Sequence, residues 1–492
     1  MKYILSIDQG TTGSRAILYD KSGKIYKSSY HEFPQYFPKP GWVEHDPLEI
    51  WKSVKDSIQD VLKGGSRCKI AAIGITNQRE TTVIWDRQTG KPIYNAIVWQ
   101  CRRTSSRCDT LKKNKKEITF FKKHTGLPID AYFSATKIEW LLKNVKGAME
   151  KAKKGRLLFG TTDSWVLWNL TGGSSHATDH TNASRTMIFN IEKLAWDKEA
   201  LKKFNIPKTI LPKVKNSSSL FGYTKKIGLL PKNIPITGIA GDQQAALFGQ
   251  ACFLPGEIKN TYGTGCFLLL NTGKKRPFSK HGLITTLGCS GKEKPVYVLE
   301  GSIFIGGAVI QWLRDGLGIL KKSYESEKMA LSISDNKGVY FVPAFVGLGA
   351  PYWDQDARGA IFGLTRGVAK EHLVRAALEA MCYQTKDVLL AMEKDSGLKI
   401  KNIKIDGGAS ANDFLCQFQS DILGISVVRP RVTETTSQGA AFLAGLYIGY
   451  WKNLQDIKKI WKKDKIFRPG LSSKKRKTLY DGWLKAIKRT LT

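Results

Sequence analysis

Cysteine is sparse in this chain, and long apolar runs are absent. None of the eight cysteines among the 492 residues forms a C-x-x-C pair, which excludes a disulfide scaffold and favours a reducing cytoplasmic location. They are Cys68, Cys101, Cys108, Cys252, Cys266, Cys289, Cys382 and Cys416. The apolar start, residues 1–8, is too short for a secretion signal, and no run reaches the roughly 18 apolar residues of a membrane span. We therefore expect a cytoplasmic protein without membrane insertion.

Acidic residues are also scarce: Lys+Arg is 78 and Asp+Glu is 42, so the formal net charge is +36. This excess permits an anionic partner, such as a nucleic acid or a phosphorylated ligand. The lysine-rich stretches 112–123, 143–156 and 452–476 carry apolar residues at helical spacing, which favours solvated helix faces. No zinc-finger, helix-turn-helix or RNA-binding motif supports specific nucleic-acid binding.

Several familiar site motifs are missing. No G-x-x-x-x-G-K-[ST] occurs, which excludes a Walker-type phosphate loop, and no G-x-G-x-x-G follows a strand. The protein-kinase signatures and H-E-x-x-H are absent too. Any bound metal must therefore be held by carboxylates, which suit Mg²⁺ rather than Zn²⁺.

The first half of the chain alternates strands with helices. An apolar run over residues 3–8 meets a glycine-containing turn at 9–13, and a second run follows at 16–19, which predicts a β-hairpin. Asp46-Pro47 predicts the start of a helix that continues to Leu62. Further strands are predicted at 70–75 and 82–85. This alternation indicates an α/β fold.

The second half of the chain repeats the pattern of a strand, a glycine-containing turn and a second strand. Residues 259–261 and 266–270 flank the turn Tyr262-Gly263-Thr264-Gly265, again as strand, glycine turn and strand. The pattern predicts helices at 242–249, 308–315, 370–393, 413–423 and 439–449, and a strand at 403–406. We therefore expect two α/β domains, residues 1–252 and 253–492, with a cleft between them.

Two glycine turns are candidate phosphate sites. Asp8 ends the first strand, and Thr11 and Thr12 follow it with hydroxyls beside backbone N–H groups, which suits phosphate oxygens and a hydrated Mg²⁺. Arg15 adds positive charge, and Thr264 occupies the matching turn of the second half. The alternative for each segment alone is an ordinary hairpin turn.

Polar residues at other strand ends are candidates for substrate binding. Asp242 ends an apolar run and begins a helix, so it is either a helix N-cap or a general base. Arg79 and Glu80 follow a strand, and they either bind vicinal hydroxyls or form a surface ion pair. Trp99 either covers an aliphatic carbon chain or fills the core.

A further turn, Asp406-Gly407-Gly408-Ala409-Ser410-Ala411-Asn412, lies before a helix. Its small residues leave room for a flat or bulky group against the backbone, and Asn412 can bond that group. The alternative is a strand-to-helix turn with an N-cap.

Long blocks of the sequence carry a resemblance to a known family. They are residues 40–47, 74–82, 94–103, 241–249, 260–267 and 343–366. With them the chain resembles the glycerol kinases, which are carbohydrate kinases with the actin-like ATPase fold, over nearly its whole length. The resemblance implies two actin-like (ribonuclease H-like) ATPase domains around an active-site cleft, and transfer of phosphate from Mg-ATP to glycerol.

The resemblance also implies roles for individual residues. Asp242 matches the general base, and Asp8 with Asp242 matches the Mg²⁺-associated carboxylates. Glycerol-binding positions match Arg79, Glu80, Trp99, Tyr132, Asp242, Gln243 and Phe267. Nucleotide-binding positions match Thr11, Thr12, Gly13, Arg15, Thr264, Gly307, Gln311, Gly408 and Asn412. The family also forms dimers and tetramers, so a homo-oligomer is expected.

One departure from the family concerns the first phosphate turn, where Gly13 stands in place of the serine of many members. Two other functions stay open at this point. The chain could act on another small polyol or sugar, such as dihydroxyacetone or a pentulose. It could also be a non-catalytic actin-like or nucleic-acid-binding protein, although Asp8, Asp242 and both glycine turns favour an enzyme.

Overall fold

A computed structural model describes residues 2–64, 69–291 and 293–492, so Cys68 lies outside the described residues. The seven cysteines within these ranges are free thiols, as expected for a reducing setting. The chain divides into two compact units. The first contains residues 1–251, 285–297 and 435–460, and the second contains 252–284, 298–434 and 461–492.

Both units contain helices and strands. The strands are β1 (Lys2–Gln9), β2 (Gly13–Tyr19), β3 (Ile25–Glu32), β4 (Glu44–His45), β5 (Lys69–Asn77), β6 (Val83–Asp86), β7 (Ala96–Ile97), β8 (Leu157–Gly160), β9 (Ala177–Asp179), β10 (Phe189–Asn190), β11 (Ala195–Trp196), β12 (Lys213–Lys215), β13 (Ser218–Tyr223), β14 (Pro235–Gly241), β15 (Ile258–Tyr262), β16 (Cys266–Gly273), β17 (Ile284–Leu287), β18 (Tyr297–Ile303), β19 (Tyr340–Val342), β20 (Ala360–Phe362), β21 (Asn402–Asp406), β22 (Ser426–Pro430) and β23 (Lys463–Phe467). The helices are α1 (Pro47–Leu62), α2 (Ser105–Lys112), α3 (Lys115–Thr125), α4 (Ser134–Asn144), α5 (Ala148–Lys153), α6 (Thr162–Leu170), α7 (His180–Ala183), α8 (Lys198–Lys203), α9 (Asp242–Gly249), α10 (Ala308–Asp315), α11 (Glu325–Leu331), α12 (Lys370–Ser396), α13 (Asp413–Leu423), α14 (Thr435–Tyr447), α15 (Leu454–Ile460) and α16 (Ser473–Thr490).

The main sheet of the first unit has the strand order β13-β14-β5-β1-β2-β3. Strands β1, β5 and β14 are mutually parallel, and β2 and β3 continue the sheet antiparallel to β1. The predicted N-terminal hairpin is therefore confirmed. Strands β1 and β5 are buried along nearly their whole length, which explains their continuous apolar runs.

The predicted domain boundary between residues 252 and 253 is incomplete, because helix α14 of the second half belongs to the first unit. The chain first leaves the first unit near that point, but residues 285–297 and 435–460 belong to the first unit. The reason is close packing: a Cβ at Gly74 of β5 would overlap the carbonyl oxygen of Ala440 in α14. The Ser6 hydroxyl of β1 also donates to the carbonyl oxygen of Ser437 at 2.7 Å. The small residues of α14 thus fit it to the first unit's sheet.

The sheet of the second unit repeats the arrangement, with β18, β16, β15, β21, β22 and β23 side by side. Strands β15 and β16 are antiparallel, and β15, β21 and β22 are parallel. Helix α12 provides much of the core through buried residues such as Val374, Met381 and Val388. Each unit thus has a hairpin extended by parallel strands.

Most predicted elements are confirmed. Helix α1 has Asp46 as its N-cap, whose side chain accepts from the Leu48 N–H at 2.8 Å. Helix α12 continues to Ser396, three residues beyond the predicted end, and α14 begins at Thr435 rather than at 439. None of the helices within the described ranges has the length and apolarity that a membrane crossing requires.

Candidate active site

Three parallel strands of the first unit end together at one edge of the sheet. The pairing register places Gln9 of β1, Asn77 of β5 and Gly241 of β14 in one row. Strand β5 lies between the other two, so the ends of β1 and β14 are about 10 Å apart. The carboxyl edge of an open α/β sheet is where ligands bind. The candidate residues Asp8, Arg79, Glu80 and Asp242 all lie at this edge.

Asp242 is held firmly but stays accessible. Its Oδ1 lies 2.9 Å from Nε of the buried Arg79 and accepts from the Gln243 N–H at 2.7 Å. The carboxylate side chain is 31% exposed. The N-cap of α9 is Gly241, so Asp242 occupies the first helical position rather than the N-cap position that the alternative assigned to it, although its side chain does accept from an N–H of the first turn. An oriented, half-buried carboxylate of this kind is suited to proton transfer.

Glu80 is a buried carboxylate on a strained backbone. Its φ is +61°, a left-handed conformation that is unfavourable for residues other than glycine. Its Oε1 accepts from Arg185 Nε at 2.5 Å and lies 4.0 Å from Arg79 Nε. Arg79 and Glu80 are 3% and 1% exposed, so the alternative of a surface ion pair is wrong.

Two buried cations near Glu80 were not predicted from the sequence. Arg185 is fully buried against the Glu80 carboxylate. Lys137 Nζ donates to the carbonyl oxygens of Tyr132 at 2.6 Å and Glu80 at 3.3 Å, and burial lowers the pKa of Lys137 to about 8. The only sequence signal was a lone basic residue among small or apolar neighbours, which is too common to be specific. These two cations fix the segments that carry Glu80 and Tyr132.

Aromatic side chains connect this cluster to the first glycine turn. Trp99 Nε1 donates to Thr11 Oγ1 at 3.1 Å, and the Trp99 ring meets the Tyr132 ring edge-on with centroids 5.6 Å apart. The Arg185 guanidinium lies 5.4 Å from the Tyr132 ring centroid. Trp99 is half-buried, so it is not simply a core residue. The structure thus brings Trp99, Tyr132 and Thr11 together.

The first glycine turn connects β1 to β2. The Gly10 N–H donates to the Gly13 carbonyl at 2.9 Å, and Gln35 Nε2 donates to the Thr11 carbonyl at 3.0 Å. Thr12 is exposed, and Arg15 is the cross-strand partner of Asp8. Two hydroxyls and a guanidinium therefore lie beside a turn next to a carboxylate.

The carboxylates at this edge fit the coordination that Mg²⁺ prefers. Among residues 2–64, 69–291 and 293–492, no group of three or more His, Cys, Asp or Glu side chains could hold a metal ion by itself. Mg²⁺ in phosphoryl-transfer sites keeps several waters and takes one or two protein carboxylates together with substrate phosphates. Asp8 and Asp242 supply oxygen donors of that kind.

The second glycine turn connects β15 to β16 in the second unit. The Gly306 N–H donates to the Thr264 carbonyl and the Gly307 N–H to the Gly263 carbonyl, both at 2.8 Å. The turn therefore lies against the start of α10, which carries the exposed Gln311. Thr264 and Gly307 therefore lie next to each other, and Gln311 lies one turn into the helix that begins there. Their contact with a nucleotide stays a prediction. Phe267 lies half-buried in β16 of the same unit.

The turn at 406–412 lies beside the second glycine turn. Asp406 of β21 pairs with Thr261 of β15, and a Cβ at Gly407 would overlap the Tyr262 carbonyl oxygen. Gly408 is exposed, with open space where a Cβ would stand. Asn412 is the N-cap of α13: its Oδ1 accepts from the Leu415 N–H at 2.9 Å. The capping role suggested for Asn412 is thus confirmed, and any contact with a nucleotide would be additional to it.

Comparisons with known proteins identify the class. Residues 3–249 match the N-terminal domain of the FGGY family of carbohydrate kinases, and residues 258–447 match its C-terminal domain. The chain belongs to this family of carbohydrate kinases.

Within this class the chain is similar to glycerol kinases. It is 58% identical to glycerol kinase 2 of Thermotoga maritima and 60% identical to glycerol kinase of a Thermoanaerobacter species, covering all of this chain and 99% of each relative. A crystal structure of Plasmodium falciparum glycerol kinase with ADP matches with a TM-score of 0.94 and 40% identity, covering 100% of this chain and 99% of that one. These relatives confirm the resemblance that the sequence blocks indicated, and with it the two-domain α/β fold.

Proposed function

We propose that this protein transfers the γ-phosphate of ATP to glycerol, giving sn-glycerol 3-phosphate and ADP, the first step of glycerol use. The observation that carries the proposal is Asp242, an accessible carboxylate oriented by the buried Arg79 at 2.9 Å. It lies at the carboxyl edge of parallel strands, where open α/β sheets bind ligands, beside the polar side chains of Arg79 and Gln243. The similarity to glycerol kinases over the full length supports the same assignment.

Asp242 acts as the general base. It accepts the proton of a terminal glycerol hydroxyl while that oxygen forms a bond to the γ-phosphorus. The bond between the γ-phosphorus and the β,γ-bridging oxygen breaks, and its electron pair leaves with ADP. Phosphoryl transfer requires positioning and charge neutralisation more than covalent chemistry, which agrees with a site of fixed charges and turns.

The side chains around Asp242 bind glycerol by its hydroxyls and its carbon chain. Arg79 donates hydrogen bonds to the substrate oxygens, and Glu80 accepts hydrogen bonds from the substrate hydroxyls. Ion pairs with Asp242 and Arg185 hold the two side chains in place before the substrate binds. Tyr132 and Gln243 add hydroxyl and amide groups. Trp99 covers the carbon chain, and Phe267 of the second unit is assigned the same role by the family resemblance.

The two glycine turns bind the nucleotide. Thr11, Thr12, Gly13 and Arg15 contact its phosphates from the first unit, since backbone N–H groups, hydroxyls and a guanidinium are donors to anionic oxygens. Thr264, Gly307, Gln311, Gly408 and Asn412 contact it from the second unit. When bound, Mg²⁺ neutralises charge on the phosphates, and Asp8 and Asp242 are the carboxylates that would hold it.

A homo-oligomer and a cytoplasmic location remain predictions.

The test is ADP formation from Mg-ATP with glycerol, dihydroxyacetone, xylulose or no acceptor, run beside Asp242→Asn. We expect rapid turnover on glycerol that is lost in the variant. Faster turnover on xylulose or dihydroxyacetone than on glycerol would assign the protein to that acceptor instead. No turnover on any acceptor, with ATP still bound, would refute the proposed function.

A further inference from the structure

Gly13 has no room for a side chain because Tyr30 of the neighbouring strand occupies the space. A Cβ at Gly13 would lie 2.6 Å from both Cζ and the hydroxyl oxygen of Tyr30, and 2.7 Å from the carbonyl oxygen of His31. Contacts this short do not occur for real Cβ atoms. The phenol of Tyr30, which lies on strand β3, therefore packs directly against Gly13 at the end of the first glycine turn.

Tyr30 contacts two of the residues assigned to phosphate binding. Its hydroxyl lies 3.2 Å from Thr12 Oγ1, within hydrogen-bond distance. Across the β2–β3 pairing it lies directly opposite Arg15, whose guanidinium carbon is 5.3 Å from the Tyr30 ring centroid. A cation over an aromatic ring at this distance is attracted to it. One side chain thus touches both the hydroxyl and the guanidinium of the turn.

We propose that Tyr30 is a positioning residue of the ATP site that orients Thr12 and Arg15 toward the phosphates. The proposal rests on the function proposed above. A phenol is a stronger hydrogen-bond donor than an aliphatic alcohol, so Tyr30 donates its proton to Thr12 Oγ1. The Thr12 O–H is then directed to an anionic phosphate oxygen, and each hydrogen bond of this short chain polarises the other. The aromatic ring meanwhile limits the rotamers that are open to Arg15.

The exposure of Tyr30 agrees with a role at a ligand rather than in the core. The side chain is 42% exposed, and strand β3 alternates exposed and half-buried residues, so its removal leaves no cavity in a packed interior. Tyr26 of the same strand is 56% exposed and stacks on Tyr3 with ring centroids 4.6 Å apart. Tyr26 is therefore a matched tyrosine on the same strand that does not touch the turn residues.

The experiment combines Tyr30→Phe, Thr12→Val and the double variant, with Tyr26→Phe as control. Tyr30→Phe keeps the ring and removes only the hydroxyl. We expect it to raise the KM for ATP about three- to tenfold, since one hydrogen bond is lost, and to leave the KM for glycerol within about twofold. In the Thr12→Val background, Tyr30→Phe should have no further effect, because the group through which it acts is gone. Tyr26→Phe should match the wild type.

Binding of a non-hydrolysable ATP analogue and of adenosine, measured by calorimetry, makes the test independent of turnover. Tyr30→Phe should weaken the analogue three- to tenfold and leave adenosine unchanged. Equal effects of Tyr30→Phe in the wild-type and Thr12→Val backgrounds would overturn the proposal, as would an unchanged affinity for the analogue or a parallel loss for adenosine. A wild-type protein that binds the analogue but does not phosphorylate glycerol would refute the proposed function alone, since these binding outcomes would still decide the role of Tyr30.

Discussion

The surroundings of the two glycine turns share a strand arrangement and differ in charge. Each turn connects the two strands of a hairpin whose first strand has a parallel neighbour on its other side, β5 beside β1 and β21 beside β15. The edge of the first sheet carries a concentration of charge: Asp8, Arg15, Arg79, Glu80 and Asp242. The turn segments 262–265 and 407–412 of the second unit carry none, and the buried Asp406 lies in the preceding strand.

This difference indicates that the two regions have different roles in the reaction. A proton acceptor and groups that stabilise moving charge are needed where bonds change, and they are worth most when they are fixed in advance. A nucleotide can instead be held by backbone groups and small residues, since backbone N–H groups bind phosphates and glycines allow close approach. We therefore expect substitutions of Arg79, Glu80 and Asp242 to affect turnover or glycerol binding, and those in the first glycine turn and in the second unit to affect the nucleotide.

The largest effect is expected for Asp242→Asn. The amide cannot accept the substrate proton, so kcat should fall by about 10²–10⁴, while ATP affinity stays within a few fold. Steady-state kinetics and calorimetry with ATP measure the two quantities separately. Asp315→Asn, which changes an exposed carboxylate of α10, is the control. Full activity in Asp242→Asn would show that the base lies elsewhere.

Glu80→Gln should give the next largest effect, on glycerol alone. Glutamine keeps an acceptor for Arg185 but loses the charge that strengthens hydrogen bonds to substrate, so the KM for glycerol should rise about 10- to 100-fold. Alanine is the poorer test, because it removes the counter-charge of a fully buried arginine and destabilises the fold by about 3–5 kcal/mol. Glu139→Gln, at a half-exposed ion pair with Arg107, is the matched control. An equal rise in the KM for ATP would assign Glu80 a structural role.

In the second unit, Gly407→Ala and Gly408→Ala form a matched pair. Gly407 has a φ of +85° and no room for a Cβ beside the Tyr262 carbonyl, so alanine should destabilise the protein by about 1–3 kcal/mol and displace the turn. Gly408 has open space at the Cβ position, so alanine there should leave stability unchanged and raise the KM for ATP a few fold. Thermal unfolding and kinetics distinguish them. An unchanged KM for ATP in Gly408→Ala would remove Gly408 from the nucleotide site.

The strands and turns of both sheets could be predicted because their signal is local. Apolar runs that end in Asp8 and Tyr262, each followed by glycines, specify strand ends from a few neighbouring residues. The position of α14 could not be predicted, because its contacts with β1 join residues 431 positions apart, as in the Ser6–Ser437 hydrogen bond. No local pattern determines which sheet such a helix covers.

The sequence indicated candidate site residues where they lie at or just after a strand end. Asp242 follows an apolar run directly, Arg79 and Glu80 follow one after three polar residues, and Trp99 was a further candidate. Tyr132 came from the family resemblance alone. Arg185 and Lys137 were missed, because their importance comes from burial against Glu80 and its backbone, which is a property of the tertiary structure. Tyr30 was missed for the same reason, since only strand pairing places it opposite Arg15.

The smallest effect on activity is expected for Asp387, a carboxylate of the second unit that lies in α12. It accepts from the Tyr480 hydroxyl at 2.5 Å and from Trp483 Nε1 at 2.8 Å, and burial raises its pKa to about 7. Between about pH 4 and pH 7 the folded state therefore holds a proton that the unfolded state has lost, so this group's contribution to stability is lost as pH rises through that window. Glu379 of the same helix, with its pKa also raised to about 7, acts in the same direction.

Asp387→Asn should flatten the pH dependence of the urea midpoint between about pH 4 and pH 7 and leave the KM values for ATP and glycerol unchanged. Glu379→Gln should flatten it by a similar amount, and the two effects should add if the groups titrate independently. A change in the KM for ATP in either variant would show that these carboxyls affect nucleotide binding at the second glycine turn. The contrast between a charged first edge and a neutral second turn would then apply only to the residues at the turn itself, and no longer to the core beneath it.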